Sequence, residues 1–142
     1  VGILYENKER MAEILKACIE AGFAKHKVYE REGVIEGMSV KRWANHIDIF
    51  LVHKKGKEAF NLGRNCCRVG SLDYMAYVYP VECFEKFNAL MFEGEQFVIP
   101  SETEKFLEAR YNENWRTPYG RNDGFDFKNL SENKAIRGDY KF

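Results

Sequence analysis

Apolar positions in the first part of the chain follow a helical spacing and then give way to a strand-like composition. "VGILY" at the start reads as a short strand. After it, Met11, Ile14, Leu15, Cys18 and Ile19 recur every three or four residues, the pattern of an amphipathic helix packed on a sheet. Asn7 is placed to cap that helix and Gly22 to end it. From Lys27 to Val52 the chain is rich in β-branched and aromatic residues and is broken by Gly33 and Gly37, which predicts two or three strands joined by tight turns, the last being "HIDIFLV". "HKKGKEAFNLGRN" then reads as a polar, solvated connection, with phosphate contact as the minority reading.

Further along, "MAYVYPVECF" and "FEGEQFVIP" predict two short strands around a turn at Glu93-Gly94, the second closed by Pro100. In "SETEKFLEARY" the spacing of Ser101 and Glu104 is that of a capping box, and a helix is expected to begin there. Pro118 and Gly120 stop regular structure, and residues 121–142 read as a polar tail laid on the body. The pattern amounts to an α+β fold, with a mixed sheet of about five strands and helices packed on one face. One domain over residues 1–120 followed by the tail suits a chain of 142 residues of which 45% are hydrophobic.

Charge removes some functions. Lys plus Arg and Asp plus Glu are equal at 22 each, so no global field draws the chain to nucleic acid or to an anionic surface, and phosphate recognition has to be local. The four cysteines, Cys18, Cys66, Cys67 and Cys83, are too few for a disulfide scaffold and are expected to be reduced structural thiols; a closed metal site built from Cys66, Cys67 and Cys83 or a histidine is the minority reading. No transmembrane segment and no signal peptide are expected. Reduced thiols and no signal point to the cytoplasm, near membranes where lipid-linked glycans are assembled. A strand at the first residue suggests that more chain precedes it.

The chemistry lies in "NHIDIFLVH". Aspartate is depleted in strands, and a carboxylate in an apolar layer needs compensation. Strand alternation puts His46, Asp48, Phe50 and Val52 on one face and Ile47, Ile49 and Leu51 on the other. A carboxylate on a strand fixed by large apolar neighbours is a rigid ligand for Mg²⁺, which demands a narrow geometry. The structural alternative is that Asp48 is a satisfied polar group paired with Lys41, Arg42 or His46, and that His46 and His53 are hydrogen-bonded structural residues.

Three pieces in order bear on that choice: "DIF" at Asp48 to Phe50, "FEGEQFVIP" at Phe92 to Pro100, and "FLEARYNENWRTP" at Phe106 to Pro118. Together they resemble the LicD/fukutin family of nucleotidyltransferase-fold phosphotransferases, over roughly Val1 to Pro118. The resemblance implies transfer of phosphocholine or a similar phospho-alcohol from a CDP-linked donor to a glycan hydroxyl. It makes Asp48 a catalytic, metal-binding carboxylate and implies Mg²⁺ or Mn²⁺ as cofactor. Two further carboxylates would come from an aspartate pair that the family carries on a strand just before a segment like "VGILYENKERMAEILKACIEAGF". That pair and its glycine-containing turn do not occur in this chain, and Tyr111 is followed by Asn112 where the family has glycine. The chain alone is therefore expected to bind Mg²⁺ weakly and to be inactive. The missing N-terminal part is its expected partner, together with the donor and acceptor.

Lys41 and Arg42, just before the Asp48 strand, are candidate diphosphate contacts. Trp115, with Pro118, is a candidate lining of the donor pocket, or else an anchor for the C-terminal helix. The alternative function on the same fold is a non-catalytic module that binds a nucleotide, a glycan or a protein.

Overall fold

The computed structural model describes residues 1–64, 74–111, 113–117 and 135–136. They belong to two compact units, one comprising Val1–His53, Asn61–Ala76 and Ala135–Phe142, the other Lys54–Phe60 and Tyr77–Lys134.

In the first unit, β1 (Gly2–Leu4) leads through a 3₁₀ turn (Tyr5–Asn7) into α1 (Arg10–Glu20). The turn moves the helix start past Asn7, the expected cap. Lys8 N–H bonds to the Tyr5 carbonyl and Met11 N–H to the Lys8 carbonyl, each at 3.1 Å, so backbone takes over the capping. The other end follows expectation. Gly22 has φ +87°, its N–H reaches the Ile19 carbonyl, and the Phe23 N–H reaches the Cys18 carbonyl, which is the double closure of a Schellman motif.

Three long strands follow: β2 (Ala24–Arg31), β3 (Val34–Arg42) and β4 (Asn45–Lys55). Gly33 turns the chain as expected, but Gly37 lies inside β3. A methyl group there would come within 3.0 Å of the Phe50 ring and 3.4 Å of the Tyr29 ring, so the missing side chain lets two aromatics close over the strand. The second turn is instead Trp43-Ala44. Residues 53–65, expected to form a loop, mostly continue the sheet: β4 runs to Lys55 and β5 covers Glu58–Arg64. The lysines that suggested a loop are exposed residues at the strand ends and turn, and Ala59, Phe60, Asn61 and Leu62 are all buried, so no polar-apolar alternation marks β5.

With β6 (Tyr74–Pro80) and β9 (Ala135–Ile136), the sheet order is β2-β3-β4-β5-β6-β9, and β1 adds to β4. That makes seven strands among the described residues rather than five. β2-β3, β3-β4 and β6-β9 are antiparallel; β1 runs parallel to β4. The fold is thus α+β with a mostly antiparallel sheet. α1 covers one face, where Met11 packs with Met38, Ile49 and Leu51.

In the second unit, a 3₁₀ turn (Val81–Phe84) precedes the hairpin of β7 (Phe87–Phe92) and β8 (Glu95–Pro100) and the helix α2 (Thr103–Tyr111). The hairpin turns at Glu93-Gly94 and Pro100 closes it, as expected, but its first strand is Phe87–Phe92 and not "MAYVYPVECF", which holds β6 and the 3₁₀ turn. Helix α2 begins two residues after Ser101. The Ser101 N–H bonds to the Lys86 carbonyl, the Thr103 hydroxyl donates to the Pro100 carbonyl at 2.6 Å, and the Glu104 carboxylate receives the Arg116 guanidinium. Phe106 of α2 stacks on Tyr79, with ring centroids 5.0 Å apart, and Phe84 meets both rings edge-on. Cys83 is buried beside this cluster and, like Cys18, is a free cysteine. Burial pushes its thiol above the ordinary range, helped by the nearby Glu82 carboxylate. Cys66, Cys67, Pro118 and Gly120 lie outside the described residues, as does the tail apart from β9.

Candidate functional site

The β3-β4 register sets the site. Ser39 pairs with Asp48, Lys41 with His46, and on the neighbouring strand Lys27 pairs with Ser39. These residues occupy one sheet face, with Gly37 and Phe50, while Met38, Val40, Ile47 and Ile49 occupy the face under α1. Asp48 therefore stands in a row with Ser39 and Lys27, on the face away from the helix.

Its environment corrects the sequence reading. Asn45 through Asp48 are exposed, and burial in β4 begins only at Ile49. An exposed carboxylate keeps its hydration, so Asp48 carries none of the desolvation penalty that its apolar neighbours implied. Its backbone is used nonetheless: the Asp48 carbonyl accepts from the Val1 backbone nitrogen at 2.8 Å, and the Phe50 N–H donates to the Val1 carbonyl at 2.9 Å.

The pairing shifts between Lys25 and Lys27, which leaves His26 as the extra residue of a bulge in β2. The His26 ring lies 6.1 Å from that of His46 in a stacked arrangement. The Asp48 face thus presents one carboxylate, the ammonium groups of Lys27 and Lys41 and two imidazoles, all exposed.

Lys41 lies on the Asp48 face. Arg42 lies on the other face. Its guanidinium donates to the Ala21 carbonyl at 3.4 Å, at the end of α1, and stacks over the Trp43 ring at 4.6 Å. A cation at a helix C-terminus is favoured by the carbonyls left open there. Trp115 belongs to the other unit. It sits in the turn after α2 beneath the Arg116 guanidinium, 4.4 Å from the ring centroid, and its buried indole N–H has no hydrogen-bond partner among the described residues.

The costly carboxylate is a different one. Glu36 is 1% exposed. It is the extra residue of a second bulge, between the Glu30-Ile35 and Tyr29-Gly37 pairs, which re-aims its side chain inward. One carboxylate oxygen accepts from Arg31 at 2.8 Å and the other meets His53 Nε2 at 2.6 Å. Tyr5 lies against the His53 ring, with centroids 4.4 Å apart. Burial raises the Glu36 carboxyl, but the hydrogen bonds from His53 and Arg31 outweigh it and hold the group below its ordinary value. The signal was present in "GVIEGMSV", where a glutamate interrupts an apolar run just as Asp48 does in "HIDIF".

Chemically, the Asp48 face suits a ligand carrying phosphate, through Lys27 and Lys41. One carboxylate does not make a Mg²⁺ site. Among the described residues no group of three His, Cys, Asp or Glu side chains is arranged to hold a metal ion. No helix among them is long and apolar enough to cross a membrane. No protein-family model matches the chain, and neither the curated proteins nor the solved structures contain a match to it.

Proposed function

We propose that this chain is part of a metal-dependent phosphotransferase of the LicD/fukutin type, moving phosphocholine or a similar phospho-alcohol from a CDP-linked donor to a glycan hydroxyl. One observation carries the reading: the parallel pairing of β1 on β4. Gly2 is level with Phe50 and Ile3 with Leu51. Continued backward, the same register brings the residue before Val1 level with Asp48 and on its face. An aspartate pair preceding "VGILY", the arrangement the resemblance implies, would thus meet Asp48 at one point of the sheet.

The bound metal would neutralise the donor's diphosphate. The chain's own residues do the rest. Lys27 and Lys41 hold the phosphates, and Asp48 fixes the site because its strand is locked by the core behind it. The acceptor oxygen bonds to the phosphorus carrying the alcohol as the bond to cytidine monophosphate breaks, and the acceptor proton passes to a base. His46, next to Asp48 on the same face, is placed to take it.

The test is the full-length gene product with CDP-choline, Mg²⁺ and a glycan acceptor. Release of cytidine monophosphate that is lost in Asp48→Asn supports the reading, and turnover unchanged by Asp48→Asn overturns it. The chain of residues 1–142 alone should show neither turnover nor strong Mg²⁺ binding.

A second reading, a non-catalytic binding module, draws on the lack of a metal-holding group at Asp48 among the described residues. Calorimetry with cytidine nucleotides separates the two: binding that needs no Mg²⁺ and ignores Asp48→Asn belongs to the module.

A further inference from the structure

The β3-β4 turn displays a tryptophan where a glycine would be easiest. Trp43 has φ +54°, a left-handed conformation that strains a bulky residue. Its side chain is 83% exposed, although tryptophan is among the residues most buried on average. One face of the ring is covered by Arg42, which also reaches toward Phe23, 5.9 Å from that ring's centroid. The turn therefore holds a rigid, amphipathic indole at its tip.

Charge is sorted along the same strands. The end bearing the turn carries Lys25, Lys27, Lys41 and Arg42, with no acidic residue from Ala21 to Tyr29 or from Val40 to Ile47. The opposite end of β2 and β3 carries Glu30, Glu32 and Glu36. In a chain of zero net charge this is a local cationic tip. Ile47, beside it on the α1 face, is exposed as well.

We propose that this tip docks the protein on an anionic lipid bilayer, with Trp43 at the headgroup level and Lys25, Lys41 and Arg42 against the lipid phosphates. A planar bilayer suits a protruding turn: indoles favour the polar-apolar boundary, and basic side chains around them add electrostatic attraction. A nucleic acid strand would need several stacking platforms along a basic groove, and a soluble sugar or nucleotide a walled pocket. Here a single indole stands on a convex turn with one face already occupied. Neither Asp48 nor a metal takes part; Lys41 is shared with the phosphotransferase reading, and the variants below leave it unchanged.

The test is co-sedimentation with phosphatidylcholine vesicles, with and without phosphatidylglycerol, while tryptophan fluorescence is recorded. Binding to the anionic vesicles, weakening with salt and accompanied by a blue shift absent from Trp43→Phe, supports the proposal. Lys25→Glu should weaken binding by about fivefold or more. Trp43→Gly, in which the backbone is relieved, should keep its melting temperature yet lose vesicle binding. No preference for anionic vesicles, or full binding by Trp43→Gly, overturns the proposal. So does quenching of Trp43 by glycerol phosphate or by oligothymidylate without vesicle binding.

Discussion

At the scale of single residues, the carboxylate that burial makes costly is Glu36 and not Asp48. Asp48 and Glu36 both interrupt apolar runs, yet Asp48 is exposed and Glu36 is buried between a half-buried Arg31 and a buried His53. Stability should follow burial. Asp48→Asn is expected to leave the urea unfolding midpoint unchanged, to within about 0.5 kcal/mol. Glu36→Ala should cost about 3–5 kcal/mol, because it removes the carboxylate shared by a half-buried guanidinium and a buried imidazole. The pH dependence has a definite sign. The folded Glu36 carboxyl titrates below its ordinary value, so its contribution is present at neutral pH and is lost as acidification passes first the unfolded and then the folded value. Urea midpoints at neutral pH and near pH 4 should show a steeper acid loss for wild type than for Glu36→Gln. Equal slopes would remove Glu36 from the account.

At the scale of elements, the turn and the helices carry separable expectations. Trp43→Gly should match or exceed wild-type stability by up to about 1 kcal/mol, since it removes a strained backbone without opening the core. Loss of stability would mean that the indole is a structural anchor. In the second unit, Phe106→Ala should cost about 2–4 kcal/mol by removing the ring stacked on Tyr79, and thermal melting checks it. Much of this was legible in the sequence. The helical spacing of Met11 through Ile19, the Gly22 stop and the Glu93-Gly94 turn depend on local chemistry alone. What was missed depended on partners distant in the chain. Gly37 read as a turn because its role is to make room for Phe50 and Tyr29, and Trp43 carried no turn signal. Bulges at His26 and Glu36 appear only once the strands are paired. Strand alternation correctly separated Asp48 from Ile49, but Arg42 fell on the helix face, a consequence of the same alternation applied to β3.

At the scale of the whole molecule, the account rests on one register. β1 lies parallel to β4 with Gly2 beside Phe50, and that pairing is what would let carboxylates from a preceding strand share a metal ion with Asp48. Lys27, Lys41 and His46 surround the point on the face away from α1, while the Glu36 network on the other face stabilises the strands that present them. The most direct measurement is Mn²⁺ binding to the full-length gene product, followed by electron paramagnetic resonance with and without a CDP-linked donor. The account predicts one bound ion that tightens with the donor and is weakened by about tenfold or more in Asp48→Asn. Equal Mn²⁺ affinity in wild type and Asp48→Asn, or no bound ion in either, would contradict it.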